Sequence, residues 1–232
     1  MLLKSWEDLP DIMRTDEVRP YYDVLQKHKV SLILKRVFDF TVSLILLLLI
    51  WPILIIIAVA VKLDSPGPAF YKQERVTTYN RKFKIWKFRT MVANADKIGS
   101  QVTISNDQRI TRVGKVLRTV RLDELPQVIN ILTGDMSFVG TRPEVKKYVD
   151  SYIPEYYATL LLPAGVTSEA SIRYKNEYEL LSEAENVDKT YIQHILPAKM
   201  VWNLNSIERF SFLRDLLTIG RTVLAVLGKE YH

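Results

Sequence analysis

The stretch FTVSLILLLLIWPILIIIAVAV, residues 40–61, governs how the rest of the chain is read. It carries no charge, and as a helix it would reach about 33 Å against a bilayer hydrocarbon core of about 30 Å. It sits too far along the chain, behind too many charges, to be a signal peptide. One reading is a single helix that spans a membrane. Two features point elsewhere. Pro52 lies near the middle, after Trp51, and proline removes an N–H donor and clashes with the preceding turn. Both flanks are also basic, with Lys27, Lys29, Lys35 and Arg36 before and Lys62, Lys72, Arg75, Arg81 and Lys82 after. Spanning helices usually show an asymmetry in nearby Lys/Arg. A re-entrant helix-break-helix that bends at Pro52 and returns to the same face satisfies both features. Its broken backbone must then be satisfied by protein, since lipid offers no hydrogen bonds. Asp39, at the edge of the segment, would help anchor it.

Outward from this segment, the charge is uneven. Residues 62–142 hold fifteen Lys/Arg against seven Asp/Glu, while the remainder of the 232-residue chain is nearly balanced. Such a block suits an anionic partner: phosphates, nucleic acid or an acidic leaflet. There is no cysteine, which excludes disulfides and thiolate metal sites. The glycines form no GxGxxG and no P-loop. His28, His194 and His232 are far apart and no HExxH occurs, which argues against zinc.

The fold expected is mainly α with a short β-hairpin. Residues 1–34 read as a polar, irregular surface arm with Pro10 and Pro20, residues 35–63 as the re-entrant helix, and residues 64–232 as a cytoplasmic catalytic domain. The Asp64-Ser65-Pro66-Gly67-Pro68 run is a turn. Alternating aromatics and cations between Ala69 and Met91 predict a hairpin turning near Tyr79-Asn80. Residues 109–132 read as helical, with Pro126 as a break or a new start. Residues 143–162 read as helix and residues 163–174 as loop. Residues 188–202 and 210–227 give two more helices, the last either core or membrane-surface.

Three stretches carry candidate chemistry. In Leu117-Arg118-Thr119-Val120-Arg121-Leu122-Asp123-Glu124-Leu125-Pro126-Gln127, adjacent carboxylates lie beside two arginines. Arginine grips phosphate bidentately at any relevant pH. A carboxylate can bind magnesium, attack phosphorus or accept a proton. Taken alone, the pair also fits an exposed helix with ordinary salt bridges. In Gly134-Asp135-Met136-Ser137-Phe138-Val139-Gly140-Thr141-Arg142-Pro143, two glycines bracket a tight segment, and Pro143 biases Arg142 toward extended geometry. The other reading is a loop before a helix that starts with proline. Lys87-Phe88-Arg89-Thr90-Met91 would alone be a basic strand edge.

In this order and spacing the motifs resemble the bacterial sugar transferase family, the monotopic polyprenyl-phosphate phosphoglycosyl transferases, in their small single-domain form. The resemblance runs from about Lys35 to Arg173 and more loosely beyond. It implies that Pro52 is the helix break, that Asp123 is the nucleophile and Glu124 the second dyad member, and that Arg118, Arg142 and Lys87 match motif positions, with Arg142 on phosphate. Arg121 and Arg89 are added as phosphate candidates, and Asp123 with Glu124 as candidate magnesium ligands. The family uses Mg2+, a UDP-sugar donor and undecaprenyl phosphate, and works on the cytoplasmic face of the bacterial inner membrane. The chain departs from the family pattern at Thr77, where glycine is common, at Thr141, where proline is usual, and in Ala164-Gly165-Val166-Thr167-Ser168. Those changes bear on the donor pocket and so on the sugar.

The function expected is transfer of a sugar-1-phosphate from a UDP-sugar to undecaprenyl phosphate. A catalytically inactive membrane scaffold of a glycan pathway is the alternative. A membrane-anchored nucleic-acid binder would use Phe83, Trp86 and Phe88 among the cations but gives the Asp-Glu pair no role, so no nucleic acid partner is expected. A spanning phosphotransferase with different lipid chemistry is a further rival. A homodimer at the membrane is compatible with the sequence.

Overall fold

The computed structural model describes residues 3–95, 107–174 and 186–226. Its elements follow from where the apolar residues fall. Residues 3–27 are a correction to the expected surface arm, because they build the core. Val18, Tyr21, Tyr22 and Leu25 stand at i, i+3, i+4 and i+7, one face of a helix. Helix α1 (Arg19–Lys27) buries its two tyrosines and Leu25. Leu9 and Met13, from the 3-10 turns before it, join the same cluster. They pack against Tyr148, Tyr157, Leu161, Leu196 and Met200.

Helix α2 (Lys29–Asp64) is 36 residues long, and by length and composition it is apolar enough to cross a membrane. It buries one stripe, Leu32, Lys35, Asp39, Ser43, Leu54, Ile57 and Val61, at spacings of three and four that keep to one face. Half-buried Leu47 and Ile50 continue that stripe. The opposite face shows Leu48, Leu49, Ile55 and Ile56 to the outside. Pro52 lies on the exposed side, and helix is continuous on both sides of it, so the expected change of direction there would be a bend within one element and not a gap between two. Proline withdraws one bond from the ladder here but does not divide the element.

Both ends of α2 are tied to the same body. Near its start, Arg36 donates to the carbonyls of Ile131 (2.8 Å) and Leu132 (2.9 Å), and Asp39 accepts from the Phe138 N–H (3.1 Å). At its end, Asp64 accepts from the Val113 N–H (2.9 Å), and Arg89 donates to the carbonyls of Ser65 (2.7 Å) and Val61 (3.3 Å).

Strands β1 (Phe70–Thr77) and β2 (Arg81–Phe88) form the expected antiparallel hairpin, in register from Phe70 opposite Phe88 to Thr77 opposite Arg81. Tyr79 and Asn80 take left-handed dihedrals at the turn. Residues 109–132 are helical in pieces: α3 (Arg112–Thr119), a 3-10 turn at Leu122–Glu124, and α4 (Gln127–Thr133), which starts after Pro126. Two expectations about the middle of the chain are corrected. The glycine-bracketed segment contains strand β3 (Met136–Val139), and the expected loop at 163–174 contains strand β4 (Ala164–Thr167) and helix α6 (Glu169–Arg173). β3 and β4 pair in parallel, Met136 opposite Ala164 and Val139 opposite Thr167. The chains touch so closely that a Cβ on Gly165 would lie 2.1 Å from the Gly140 nitrogen, so both positions need glycine. The helix expected at 143–162 is only α5 (Lys146–Val149) and a 3-10 run at Pro154–Leu161. Ile153, extended before Pro154, separates them. Helix α7 (Val187–Thr190) passes through a π turn at Tyr191–Ile195 into α8 (Leu196–Glu208), and α9 (Phe212–Val226) closes the described chain. Leu227 and His232 lie outside the described residues.

Candidate active site

The site is built on the short turn at Leu122–Glu124. Arg121, left-handed at φ 56, turns the chain out of α3. In a 3-10 turn positions i and i+3 eclipse, so Leu122 and Leu125 share a face. Both leucines pack against the cluster of Leu54, Ile57, Val61, Phe88 and Leu117 at the end of α2. The residues between them, Asp123 and Glu124, are thereby directed away from the apolar cluster. The Leu-Asp-Glu-Leu spelling is the local cause of the geometry.

Glu124 is gripped from two sides. Its Oε1 accepts from Lys87 Nζ at 2.9 Å, from the end of β2, and from Arg142 Nη2 at 2.5 Å, beyond β3. Its side chain is 16% exposed. Burial alone would raise the Glu124 pKa, but the charges of Arg142 and Lys87 outweigh it and hold the carboxyl well below the ordinary range. Asp123 behaves oppositely. Burial pushes its pKa up and the Glu124 charge adds to this, against a weaker pull from Lys87 and Arg118. No neighbouring side chain bonds the Asp123 carboxylate among the described residues. Burial lowers the Lys87 pKa, opposed by Glu124 and assisted by the nearby Arg142 and Arg75. Arg118 is aimed by a bond from its Nε to Thr90 Oγ1 (2.9 Å).

The structure therefore brings Asp123, Glu124, Lys87, Arg118 and Arg142 together. One expected phosphate residue is committed elsewhere. Arg89 is 5% exposed, and its guanidinium is spent on the carbonyls of Val61, Ser65 and Pro66 at the end of α2. A Cβ on Gly67 would collide with that guanidinium, which is one reason glycine stands there. Arg121 is exposed, with no side-chain bond to the described residues, and its backbone makes the turn that leads to Asp123.

Arg75 and Glu144 were missed. Arg75 donates to the carbonyl of Pro143 (3.2 Å) and to Gln73 Oε1 (2.7 Å), and its charge is felt at Lys87. Glu144 is 8% exposed and accepts from Tyr191, with Lys199 at 3.8 Å. Its place directly after Arg142-Pro143 was the available signal. The departures at Thr77 and Ser168 have local reasons. Thr77 Oγ1 donates to the Asp135 carbonyl (2.7 Å) and accepts from the Ala164 N–H (3.2 Å), stitching the hairpin to β3 and β4. Ser168 caps α6 through the Ser171 N–H (3.0 Å).

For magnesium, the donor set is two adjacent carboxylates, and no cluster of three or more His, Cys, Asp or Glu suited to a metal occurs among the described residues. That fits a hard cation held by one carboxylate together with substrate phosphates, the usual mode for magnesium, rather than an all-protein cage. With Glu124 occupied by cations, Asp123 is the carboxylate open to it.

The turn thus presents Glu124 held by cations and, beside it, Asp123 without a side-chain bond to the described residues. The chain matches the sequence model described as bacterial sugar transferase over residues 30–229, and it belongs to that family. It is 36% identical over 197 residues to an Aeromonas hydrophila protein named UDP-N-acetylgalactosamine-undecaprenyl-phosphate N-acetylgalactosaminephosphotransferase, covering 84% of this chain and 44% of the relative. A Caulobacter vibrioides protein named UDP-glucose:undecaprenyl-phosphate glucose-1-phosphate transferase is 37% identical over 199 residues, covering 84% of this chain and 70% of the relative. A Rhizobium leguminosarum exopolysaccharide production protein, PSS, is 40% identical over 206 residues and is covered for 98% of its length. The chain thus spans less than half of the Aeromonas relative and nearly all of the Rhizobium one.

Proposed function

We propose that this protein transfers a sugar-1-phosphate from a UDP-sugar to undecaprenyl phosphate and releases UMP. The observation that carries the reading is the split dyad: Glu124 locked by Lys87 and Arg142, Asp123 beside it without a side-chain bond to the described residues. The relatives' printed names, two of which describe this type of transfer, support the substrate class.

In the first step an Asp123 carboxylate oxygen attacks the phosphorus that bears the sugar. The new O–P bond forms as the bond to the UMP phosphate breaks, and the electron pair leaves with UMP. In the second step a lipid phosphate oxygen attacks the same phosphorus, and the Asp123–phosphorus bond breaks to regenerate the carboxylate. Dividing the transfer lets two anionic substrates use one site in turn. Arg142, Lys87 and Arg118 hold the donor phosphates and disperse charge as it builds. When bound, magnesium would neutralise the diphosphate further. Glu124 keeps Lys87 and Arg142 converged while the site is empty of anion.

We place the active site at the depth of the lipid headgroups on the cytoplasmic face of the inner membrane, with α2 entering and returning on that face. The ties at both ends of α2 to one domain support this disposition, as does its exposed apolar side. The test is UMP release by purified protein with undecaprenyl phosphate, magnesium and a panel of UDP-sugars. Release that requires lipid and metal, is abolished in Asp123→Asn, and leaves a phosphosugar adduct on the wild-type protein when lipid is withheld is the expected result. A ternary-complex kinetic pattern without an adduct would overturn the two-step route.

A further inference from the structure

Away from the dyad, the described residues enclose a cavity of about 410 Å3 between the end of β3, α6, α8 and α9. Its wall is strongly cationic. The two carboxylates in the lining are already taken: Glu169 by Arg221 at 2.6 Å, and Asp215 by Lys35 at 2.6 Å. Arg173, Arg209 and Arg214 also line it and have no carboxylate partner among the described residues. The Arg173 guanidinium lies over Trp202, its Cζ 3.9 Å from the ring centroid, a cation–π contact that restrains it beside the cavity. Arg209 and Arg214 are exposed and make no side-chain bond to the described residues.

A second observation lies deeper in the same wall. Asn203 is 5% exposed, lines the cavity, and its Oδ1 has no hydrogen-bond partner among the described residues. Among the described residues its Nδ2 meets only the Met200 sulfur, at 4.0 Å. A buried amide left unpaired costs stability, and a donor arriving from the cavity would remove that cost. The three arginines attract an anion, and the buried amide oxygen is satisfied by a hydroxyl or N–H donor. One ligand supplying both is a phosphate ester that carries hydroxyl groups.

We infer that this cavity binds a hydroxyl-bearing phosphate ester at a site separate from Asp123 and Glu124, with phosphate on Arg173, Arg209 and Arg214 and a donor on Asn203. Two sources share that chemistry. One is a polyol phospholipid headgroup, which α9 could reach through exposed Leu213 and Leu217 and α2 through exposed Ile33 and Leu34. The other is a nucleotide sugar, because Thr141, the neighbour of Arg142, also lines the cavity.

The experiment measures equilibrium binding to the full chain without turnover, so its result does not depend on the proposed transfer reaction. One arm titrates phosphatidylglycerol nanodiscs against phosphatidylcholine nanodiscs. The other titrates UDP-glucose. Each is run on wild type, on the exposed pair Arg209→Gln/Arg214→Gln, and on Asn203→Leu, with Asn203→Ala as the milder variant and thermal unfolding as the check of fold. The expected result is about tenfold weaker binding of one ligand, or of both, in the arginine variant and in a folded Asn203 variant. The arm that weakens names the source. If neither arm weakens, the cavity is not a binding site. If only the arginine variant weakens the lipid arm while the Asn203 variants bind normally, the attraction is general surface charge and the inference is overturned.

Discussion

Glu124 faces Lys87 and Arg142 at hydrogen-bond range, whereas Asp123 feels Lys87 and Arg118 only through space, and this difference sets how each titrates. A nucleophilic carboxylate must be ionised. With the Asp123 pKa raised by burial and by Glu124, the ionised fraction falls as pH drops through a value above the ordinary aspartate range. The rate of UMP release should therefore decline on the acid side earlier than a free aspartate would require. Glu124→Gln removes the like charge that helps raise Asp123 and frees Lys87 and Arg142 to favour its ionised form. The acid limb of the pH–rate profile should then move to lower pH, even though the maximal rate falls. A limb that stays put, or moves up, would show that Asp123 does not titrate in that limb. The candidate site residues were named through the family resemblance, since the Leu-Asp-Glu-Leu stretch alone also fitted an exposed helix with ordinary salt bridges. The place of Arg89 was not legible. It has the same strand parity as Lys87 and would share its face if β2 continued, but β2 ends at Phe88 and Arg89 turns back to the end of α2. Where a strand stops is not written in its alternation.

At the scale of elements, the strand that leads to Arg142 is held by the helix expected in the membrane. Lys35 of α2 donates to the Val139 carbonyl (2.7 Å) and to Asp215 of α9 (2.6 Å), and Asp39 receives the Phe138 N–H. Burial raises the Asp215 pKa, with Asp39 adding to this and Lys35 opposing it. Side-chain exposures of 7% for Lys35 and 16% for Asp215 make the pair a buried one. Removing one member leaves the other charge stranded, which typically costs about 3–5 kcal/mol, while replacing both by apolar residues is often near neutral. Asp215→Asn or Lys35→Met should each lower unfolding stability in detergent by an amount of that order, and Lys35→Met/Asp215→Leu should recover most of it. Single and double variants of equal stability would mean that the two charges are not coupled. This clasp was hidden in the sequence because its partners come from three distant elements. The parallel pairing of β3 with β4 was hidden for the same reason: each strand is four residues long, too short for a period, and its partner is not nearby in the chain. The hairpin, whose partners are joined by one turn, was read correctly.

For the whole molecule, the question is which side of a membrane each end of α2 faces. A helix of 36 residues would extend about 54 Å if straight, more than enough to cross. Length does not decide, and the domain holds Arg36 and Asp39 near one end and Asp64 near the other, which supports the proposed disposition of both ends on one side of a bilayer. The N-terminal residues strengthen the argument. They pack Leu9, Met13, Tyr21 and Leu25 into the same core as Leu196 and Met200, which supports the proposal that the segment before α2 shares a compartment with the residues far beyond it. The absence of cysteine from the chain gives a clean background for testing this. Asp16 and Lys115 are exposed and lie on either side of α2 in sequence. Asp16→Cys and Lys115→Cys, made separately, should react with a membrane-impermeant thiol reagent from the same face of sealed vesicles and be protected from the other. Labelling from opposite faces would require the core to come apart around α2, and would replace the re-entrant disposition with a spanning one.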